Sequence, residues 1–545
     1  MSMIADIILK SNNIFDGVGN MPFPGAVAVK DTHIIYTGQY DDAAPYIGAD
    51  TVIRDFGDDL IMPGFIDNHT HLIMMVMGMS GRQVDLLGAS SENECIERIL
   101  KFRKEHPDVE RIYAYGWSAD QWGDSAATPS RHSLDKAVGD IPVCMQHFFS
   151  HAIWLNTKAI EEAGISSDTT FCSGMSYAET DSSGNLTGMV YETEAMTGVL
   201  SNFQTLPEDI MRDAIHKVLD IMAANGITSC ADMATGTYPA GDLPLYRSLH
   251  RLDNELPSGL PLRVHFYPSL GFDCDFEAAE KARSKFVAGN VRFSGLKQFI
   301  DGIPCIHSAY LLSPYIDVPD TTGLPVYPPD IYNKVIPEAN RRGFDVRVHA
   351  IGDGAVRLAI DAYELSHRAG ADWNAKNIIE HIDLIAPEDI SRMSDACVTA
   401  SVQPLHLQFQ APFSEPCYGK KRLEEESYLY RSMLDAGIPL VMGTDHPDID
   451  PFRNIHAAIT RSSQEGNPLS YNDEQKMTLT EALKAYTSKG AAAINRDSDL
   501  GMLKAGYLAD IVVIDGPVFT ESPEKISRRK PVMTISGGNI VYEKK

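Results

Sequence analysis

The chain has 545 residues, of which 44% are apolar and 22% are charged, and its formal net charge is −27. This length predicts one large domain with a smaller one, or two domains of similar size. The negative charge argues against binding to nucleic acid or to an anionic membrane surface, because both need clusters of basic residues.

No apolar run is long enough to span a bilayer, and the N-terminus lacks the basic and apolar regions of a secretory signal. The eight cysteines are scattered and form no Cys-x-x-Cys pair. This usage is typical of reduced thiols in a cytosolic protein. We therefore predict a soluble cytoplasmic protein, and the base rate for such proteins favours a homodimer.

Both ends of the chain are predicted to be rich in short strands. The β-rich runs of the two ends lie at 4–9, 26–29, 33–37, 511–514, 532–535 and 540–542. Turn signals such as Asp16-Gly17 and Gly537-Gly538 separate them. Because the middle of the chain has a different character, we predict one small β-sandwich domain built from residues 1–60 and 492–545.

The middle of the chain alternates short apolar strands with segments of helical period. The predicted strands are 60–66, 228–232, 263–266, 295–299, 345–348, 377–380, 399–402 and 439–442. Eight such units in one domain predict an α/β fold with a closed (β/α)8 TIM barrel over residues 61–491. The gap after the first strand, about 80–215, predicts an inserted subdomain that covers one mouth of the barrel.

The first predicted barrel strand ends in His69-Thr70-His71. Residues i and i+2 of a strand point to the same face, so both imidazoles can approach one point in space. Imidazole is a common neutral ligand for zinc and similar metals. His69 and His71 therefore read as half of a metal site, although such pairs also occur on solvated strand ends.

Four other predicted strands carry an ionisable residue within them or just after their ends: Lys297, His349, His381 and Asp445. Each alone has an ordinary explanation, such as a hydrogen-bonded histidine, a helix cap or a lysine that reaches solvent. Barrel enzymes place their chemistry at the carboxyl ends of the strands. The conjunction of these residues in strand order predicts a metal site.

This order of residues resembles the amidohydrolase superfamily of metal-dependent barrel hydrolases. Several longer phrases resemble its amidohydrolase 3 branch, also called YtcJ-like, and they cover 63–71, 151–156, 297–302, 348–356, 403–406 and 509–515. The resemblance implies that the six strand-end residues bind one or two divalent metal ions, most simply Zn²⁺. It also implies that Lys297 is carboxylated by carbon dioxide and bridges two metals, whereas an unmodified Lys297 would favour a single metal.

The expected chemistry is hydrolysis by a metal-activated water, with Asp445 as the proton shuttle between that water and the departing amine. The predicted substrate is a small molecule with a non-peptide C–N bond: an amide, an N-substituted formamide or a cyclic amide. A lactone or ester hydrolase would use the same site. A catalytically silent barrel that acts as a binding or regulatory protein is the alternative from another class.

Candidates for substrate contact rest on weaker grounds. Gln403 and His406 lie at the end of the seventh predicted strand, and His446 follows Asp445 directly. His151 lies in the insertion and resembles a histidine that the family places near its active site. Asp353 follows His349 by four residues and could orient a ligand, or could belong only to a turn.

Overall fold

The central strands of the chain form two groups, and every pairing within each group is parallel. The computed structural model describes residues 3–119, 122, 129–233, 244–271, 275–368, 375–445, 449–469 and 472–545. The first group contains, in spatial order, Val291–Phe293, Arg263–Tyr267, Ile227–Met233 and Phe65–Thr70. The second group contains Leu296–Phe299, Val346–Ala350, Asn377–His381, Thr399–Val402 and Leu440–Met442.

The two groups meet at both of their edges. At one junction Ser269 forms a parallel bridge with Lys297. At the other junction the backbone N–H of Asp445 donates to the carbonyl oxygen of His69 at 2.9 Å. A Cβ added to Gly443 would lie 2.3 Å from the backbone nitrogen of His69, so this close approach requires glycine. The carboxyl ends of both groups therefore lie on one side of the α/β core.

All eight predicted central strands overlap an observed strand, but the first is divided. Leu60–Pro63 belongs to the sheet of the chain ends, and Phe65–Thr70 belongs to the central group. A Cβ added to Gly64, between them, would lie 2.4 Å from Oγ1 of Thr228. Leu60–Pro63 thus lies in the terminal sheet, although the pattern of its sequence runs on into the next strand.

The two ends of the chain form one eight-stranded sheet, as their composition predicts. Its strands are Ile7–Ile14, Phe23–Lys30, His33–Gly38, Val52–Asp55, Leu60–Pro63, Ile511–Ile514, Pro531–Ser536 and Asn539–Glu543. Antiparallel pairing of Ile511–Ile514 with Leu60–Pro63 joins the N-terminal and C-terminal parts. The division of this region into a sandwich and the domain boundaries remain predictions.

The segment after the first central strand forms a six-stranded sheet of its own. Its strands are Gln83–Asp85, Ile112–Trp117, Val143–His147, Ala152–Leu155, Tyr177–Thr180 and Leu186–Tyr191. Trp117 and Trp154 are buried in a hydrophobic cluster of this segment. The insertion therefore has its own core, as its aromatic residues predict.

Helices connect the strands throughout. They are Leu72–Met79, Glu92–Glu105, Arg131–Val138, Thr157–Ala163, Thr193–Phe203, Glu208–Ala224, Pro244–Glu255, Phe276–Lys285, Pro329–Arg341, Asp353–Arg368, Pro387–Asp395, His406–Tyr418, Lys420–Glu426, Tyr430–Asp435, Pro451–Thr460, Leu479–Ala485 and Ser488–Ala493. Short 3-10 turns occur at Tyr40–Tyr46, Pro304–Ile306, Asp473–Gln475 and Pro523–Arg528. Within the described parts of the chain, no helix combines the length and the apolar character needed to cross a bilayer.

Candidate metal centre and active site

The strand-end residues singled out in the sequence line one cavity at the carboxyl side of the central strands. The residues from these strand ends are His69, His71, Lys297, His349, His381 and Asp445. His151 and His406 line the same cavity. Parallel strands bring residues from distant parts of the sequence together at one edge, which is why a metal site can be assembled there.

Asp445 is at the centre of this arrangement. Its Oδ1 lies 3.0 Å from Nε2 of His71 and 3.5 Å from Nε2 of His69. Its Oδ2 lies 3.8 Å from Nδ1 of His381 and 3.7 Å from Nε2 of His406. One donor atom from each of His69, His381 and Asp445 lies within 4.8 Å of the other two. These three residues could therefore bind a single cation.

The two histidines of the His-x-His motif are held by their other ring nitrogens. Nδ1 of His71 donates to the carbonyl oxygen of Met233 at 2.8 Å, because a carbonyl can only accept. Nδ1 of His69 lies 2.7 Å from Oε2 of Glu380. Both bonds fix the ring orientation and direct Nε2 of each histidine towards Asp445, an arrangement typical of metal-ligating histidines.

The remaining histidines have the neutral state that a metal requires. Burial lowers the pKa of His349 and His381 well below the usual value, and neighbouring positive groups add to this. The rings of His349 and His381 are 4.4 Å apart. Nε2 of His349 lies 3.3 Å from the carbonyl oxygen of Gly302. Each imidazole can therefore offer a lone pair to a metal.

Lys297 is buried in the same cavity wall, and its Nζ has no hydrogen-bond partner among the described residues. Burial lowers the pKa of its amine to about 8, despite the opposing charges of Glu380 and Asp445. A buried, unpaired amine is energetically costly. The site is therefore suited either to modification of this amine or to a charged partner beside it.

Two residues of the cluster have backbone conformations that are uncommon for their types. His381 has φ = 77° and Asp445 has φ = 47°, and both lie at strand ends. Non-glycine residues in this region carry local strain, which surrounding structure must maintain. At Asp445 the backbone bond to the carbonyl of His69 provides that support. Strain of this kind is concentrated at functional sites.

A buried ion pair behind the cluster was not identified from the sequence. Glu380 accepts from Nη1 of Arg347 at 3.0 Å and from His69, and both members of the pair are fully buried. Arg347 also donates to the carbonyl oxygen of Asn68 at 2.7 Å. Burial raises the pKa of Glu380, but the charges of His69 and Arg347 outweigh it and lower the pKa to about 2.

A signal for this pair does exist in the sequence. Arg347 and Glu380 are charged residues inside apolar strands, each one or two residues before a histidine of the cluster. A buried charge needs a partner, so two such residues of opposite sign on adjacent strands predict each other.

The weaker candidates differ in where the structure places them. His406 and His151 line the cavity, whereas Nε2 of Gln403 lies behind the cluster, 3.4 Å from Nδ1 of His69. Asp353 is buried outside the cavity wall and forms an ion pair with Arg422. Its carboxylate also accepts from backbone N–H groups, as a turn residue does. His446 lies outside the described residues.

The insertion forms the opposite wall of the cavity. Its contribution is largely aromatic and apolar: Tyr115, Phe148, Phe149, Met196 and Leu200. Its polar lining residues are Gln146, Ser150, His151 and Thr193. Nδ1 of His151 lies 2.9 Å from Oε2 of Glu192. Glu192 is buried and has φ = 69°. The sequence did not identify Glu192, because nothing in its irregular surroundings indicates where the side chain points.

The chain belongs to the amidohydrolase family, whose model matches residues 53–542. Three curated relatives match it over nearly their whole lengths. Protein LONG AFTER FAR-RED 3 of Arabidopsis thaliana is 27% identical and covers 99% of this chain and 92% of its own. Putative amidohydrolase YtcJ of Bacillus subtilis is 27% identical, with 95% and 96% covered. N-substituted formamide deformylase of Arthrobacter pascens is 24% identical, with 100% and 99% covered.

A solved structure supports the same assignment of fold. An uncharacterized metal-dependent hydrolase from Pyrococcus horikoshii superposes with a TM-score of 0.72 at 24% identity. The match covers 95% of this chain and 98% of that protein. The shared architecture therefore extends over the terminal sheet, the central strands and the insertion together. The predicted resemblance to the YtcJ-like branch is confirmed by the family model and the relatives.

Proposed function

We propose that this protein is a metal-dependent hydrolase that cleaves a non-peptide C–N bond in a small amide, an N-substituted formamide or a cyclic amide. The observation that carries the proposal is the set of donor atoms of His69, His381 and Asp445 within 4.8 Å of one another at the strand ends. The names of two relatives, a formamide deformylase and a putative amidohydrolase, agree with this chemistry.

The scaffold in this proposal is a closed (β/α)8 barrel. Its support is the parallel pairing within both central groups and their contact at two edges. In such a barrel the carboxyl ends of the strands carry the chemistry, and the loops and insertions above them set specificity. The insertion then covers the end of the barrel at which the strands have their carboxyl ends.

The donor set suits zinc. Neutral imidazoles with one carboxylate are typical ligands of catalytic zinc, and Nδ1 of His381 is buried without a hydrogen-bond partner among the described residues. We propose that the metal ligands are His69, His71, Lys297, His349, His381 and Asp445, for one or two ions. When bound, the metal would polarise the substrate carbonyl and lower the pKa of a water molecule.

Lys297 enters this proposal as a carboxylated residue. Carboxylation joins the unprotonated amine to carbon dioxide, so it needs a lysine whose pKa is lowered. Burial lowers the pKa of Lys297 in this way. Its Nζ also has no hydrogen-bond partner among the described residues. An unmodified Lys297 would instead serve as a positive charge beside a single metal.

Asp445 is the proposed proton shuttle. Burial opposes its ionisation, but the neighbouring His69 and His71 outweigh burial and hold the pKa of Asp445 well below its usual value. The carboxylate is therefore available to accept a proton from the attacking water. It would then deliver that proton to the leaving nitrogen, which cannot depart as an anion at neutral pH.

The cavity favours a neutral substrate with an apolar group. Among the described residues that line it, Lys297 is the only lysine or arginine, and it belongs to the metal cluster. Apart from the proposed metal, the described lining offers no other fixed positive charge for an anionic group of a substrate. The aromatic and methionine side chains of the insertion wall would contact the apolar part of a bound molecule.

Metal analysis with a substrate screen tests the proposal. The purified protein should contain one or two equivalents of zinc or a similar metal, and His69→Ala should lose at least one. His132→Ala, an exposed histidine of the insertion, is the matched control and should lose none. Wild-type protein is then screened with amides, formamides, cyclic amides, lactones and esters.

Two outcomes would change the proposal. Turnover of lactones or esters without turnover of any amide would favour the ester-hydrolase alternative. No metal in the protein, even after reconstitution with zinc and bicarbonate, would contradict hydrolysis. That result would favour a silent binding or regulatory protein. One relative, Exoenzymes regulatory protein AepA of Pectobacterium carotovorum, has a regulatory role in its name. It is 23% identical and covers 72% of this chain.

A further inference from the structure

A second group of potential metal donors lies outside the strand-end cluster. It consists of Nε2 of His307, Oδ2 of Asp317 and Sγ of Cys417, which all lie within 4.8 Å of one another. Nε2 of His307 is 2.9 Å from Oδ2 of Asp317, and Sγ of Cys417 is 3.9 Å from the same oxygen. His307 and Asp317 lie in the loop that follows Leu296–Phe299, and Cys417 lies near the end of the helix His406–Tyr418.

The positions of these donors are set by backbone bonds. His307 ends the 3-10 turn Pro304–Ile306 in the left-handed region, with φ = 57°, and its N–H donates to the carbonyl of Pro304. The N–H of Ile316, next to Asp317, donates to the carbonyl of Cys417 at 2.9 Å. The donors are therefore brought together by the fold, and the site would be preorganised for a ligand.

The distances suit tetrahedral zinc. Bonds of about 2.0 Å to nitrogen and oxygen and about 2.3 Å to sulfur place donor atoms roughly 3.3–3.7 Å apart. The observed 2.9 and 3.9 Å lie within an ångström of that range. Cys417 is buried, whereas the side chains of His307 and Asp317 are 29% and 35% exposed. Solvent could therefore supply the fourth ligand.

A surface ion pair beside an apolar cysteine is the simpler explanation for these contacts. It accounts for His307 and Asp317, and the thiol of Cys417 can donate to the carbonyl oxygen of Pro304, 3.5 Å away, and to Oδ2 of Asp317. It gives no role to the convergence of all three donor atoms within 4.8 Å of one another. A cation bound at that point would replace the thiol proton and bind the nitrogen, the oxygen and the sulfur together.

We propose that His307, Asp317 and Cys417 form a second zinc site, distinct from the strand-end cluster. Binding forms a Zn–S bond at Cys417 and releases the thiol proton to solvent, while His307 binds through an unprotonated Nε2. The site would join the loop after Leu296–Phe299 to the end of the helix His406–Tyr418. Ile303, on that loop, and His406, at the start of that helix, both line the active-site cavity.

Cobalt substitution tests this site without relying on activity. The protein is stripped with a chelator, reloaded with Co²⁺ alone, and examined for the near-ultraviolet charge-transfer band that thiolate–cobalt bonds produce. The strand-end cluster offers no cysteine among its described residues, so the band reports only on the second site. We expect the band in the wild type. Cys417→Ser should lose the band and should bind one equivalent of cobalt less than the wild type.

Matched variants separate this site from the proposed active site. Cys305→Ser, on the same 3-10 turn, should keep the band, and His69→Ala should keep it even if the strand-end metal is lost. Asp317→Asn alters a partly exposed side chain, so the protein should still fold. The Co²⁺ concentration that gives half of the band should rise in this variant by ~10- to 100-fold or more. Loss of a partner outside the ligand shell costs that much metal affinity, and Asp317 is a proposed direct ligand.

Two results would overturn the proposal. The first is no thiolate band in wild-type protein at excess Co²⁺. The second is a band that persists in Cys417→Ser, because its thiolate would then come from another cysteine. A failure of the hydrolase proposal would leave the band in place, so the two proposals can fail separately.

Discussion

The two walls of the cavity differ in composition and in support. The strand-end wall carries histidines and Asp445, and its ligand candidates are held by specific partners such as Glu380 and the carbonyl of Met233. The insertion wall carries aromatic, methionine and leucine side chains from helices and loops. Its few polar lining residues include His151, which is paired with the buried Glu192 behind it.

This difference separates the two requirements of an enzyme. Bond cleavage needs donor atoms held to a fraction of an ångström, which hydrogen-bonded strands provide. Substrate choice needs a surface whose shape can vary, which an insertion provides without disturbing the core. If the comparison is correct, substitutions in the strand-end wall should abolish turnover, and substitutions in the insertion wall should change which substrate is used.

Asp445→Asn should have the largest effect. The amide cannot accept the proton of the attacking water, so turnover should fall by about 10²- to 10⁴-fold, while most of the metal is kept. Steady-state rates and metal content measure the two effects. Asp395→Asn, an exposed carboxylate, is the control. A near-normal rate in Asp445→Asn would remove Asp445 from its proposed role.

Glu380→Gln should come next. The change leaves the guanidinium of Arg347 buried without its carboxylate, which costs about 3 kcal/mol or more, and it weakens the support of His69. Metal affinity should fall by about 10- to 100-fold. Chelator competition measures the affinity, and urea denaturation of the metal-free protein measures the stability.

Glu388→Gln is the matched control for this prediction. Glu388 also pairs with an arginine, Arg357, but its side chain is 69% exposed. Its loss should leave the stability nearly unchanged, since exposed ion pairs contribute little. Equal effects of the two substitutions would contradict the importance of the buried pair.

His151→Asn should have an intermediate effect that leaves the metal in place. Losing the hydrogen bond to Glu192 and the imidazole at the cavity wall should lower kcat/KM by about 10-fold, the equivalent of one hydrogen bond. His132→Asn, exposed in the same insertion, controls for the substitution. Loss of metal in His151→Asn would instead make this histidine a ligand.

Met196→Ala should have the smallest and most selective effect. Met196 is buried in the insertion wall, so its truncation should raise KM by about 10-fold for substrates with a bulky apolar group. Substrates without such a group should change little. Met79→Ala, a methionine that is 37% exposed and lies outside the cavity lining, is the comparison. Equal KM changes for both kinds of substrate would contradict the assignment of this wall to specificity.

The sequence predicted the parts of the molecule that follow a repeating pattern. Apolar runs identified eight of the nine described central strands, because strands buried on both faces are continuously apolar; the short strand Val291–Phe293 was not predicted. The residues at the ends of those runs identified His69, His349, His381 and Asp445 as neighbours, since parallel strands align their carboxyl ends. The same pattern misplaced one boundary: the run 60–66 belongs to two sheets, and Gly64 lies between its two strands.

Contacts between distant side chains were beyond the sequence. Asp353 has the right spacing for a ligand, but its position relative to the cavity depends on Arg422, which lies 69 residues away. Glu192 gained its place beside His151 only through the folding of the insertion. Such pairs have no periodicity, so no local pattern can predict them.

The sequence by itself therefore determined the family, the central strands and the ligand candidates. The strands follow from local apolar runs, and the family and the ligand candidates follow from motifs in or next to those strands. The tertiary structure alone decided which ring nitrogens face Asp445, which wall closes the cavity, and which donors gather at His307, Asp317 and Cys417. These features depend on distances between residues far apart in the chain, and burial and packing of the whole molecule set those distances.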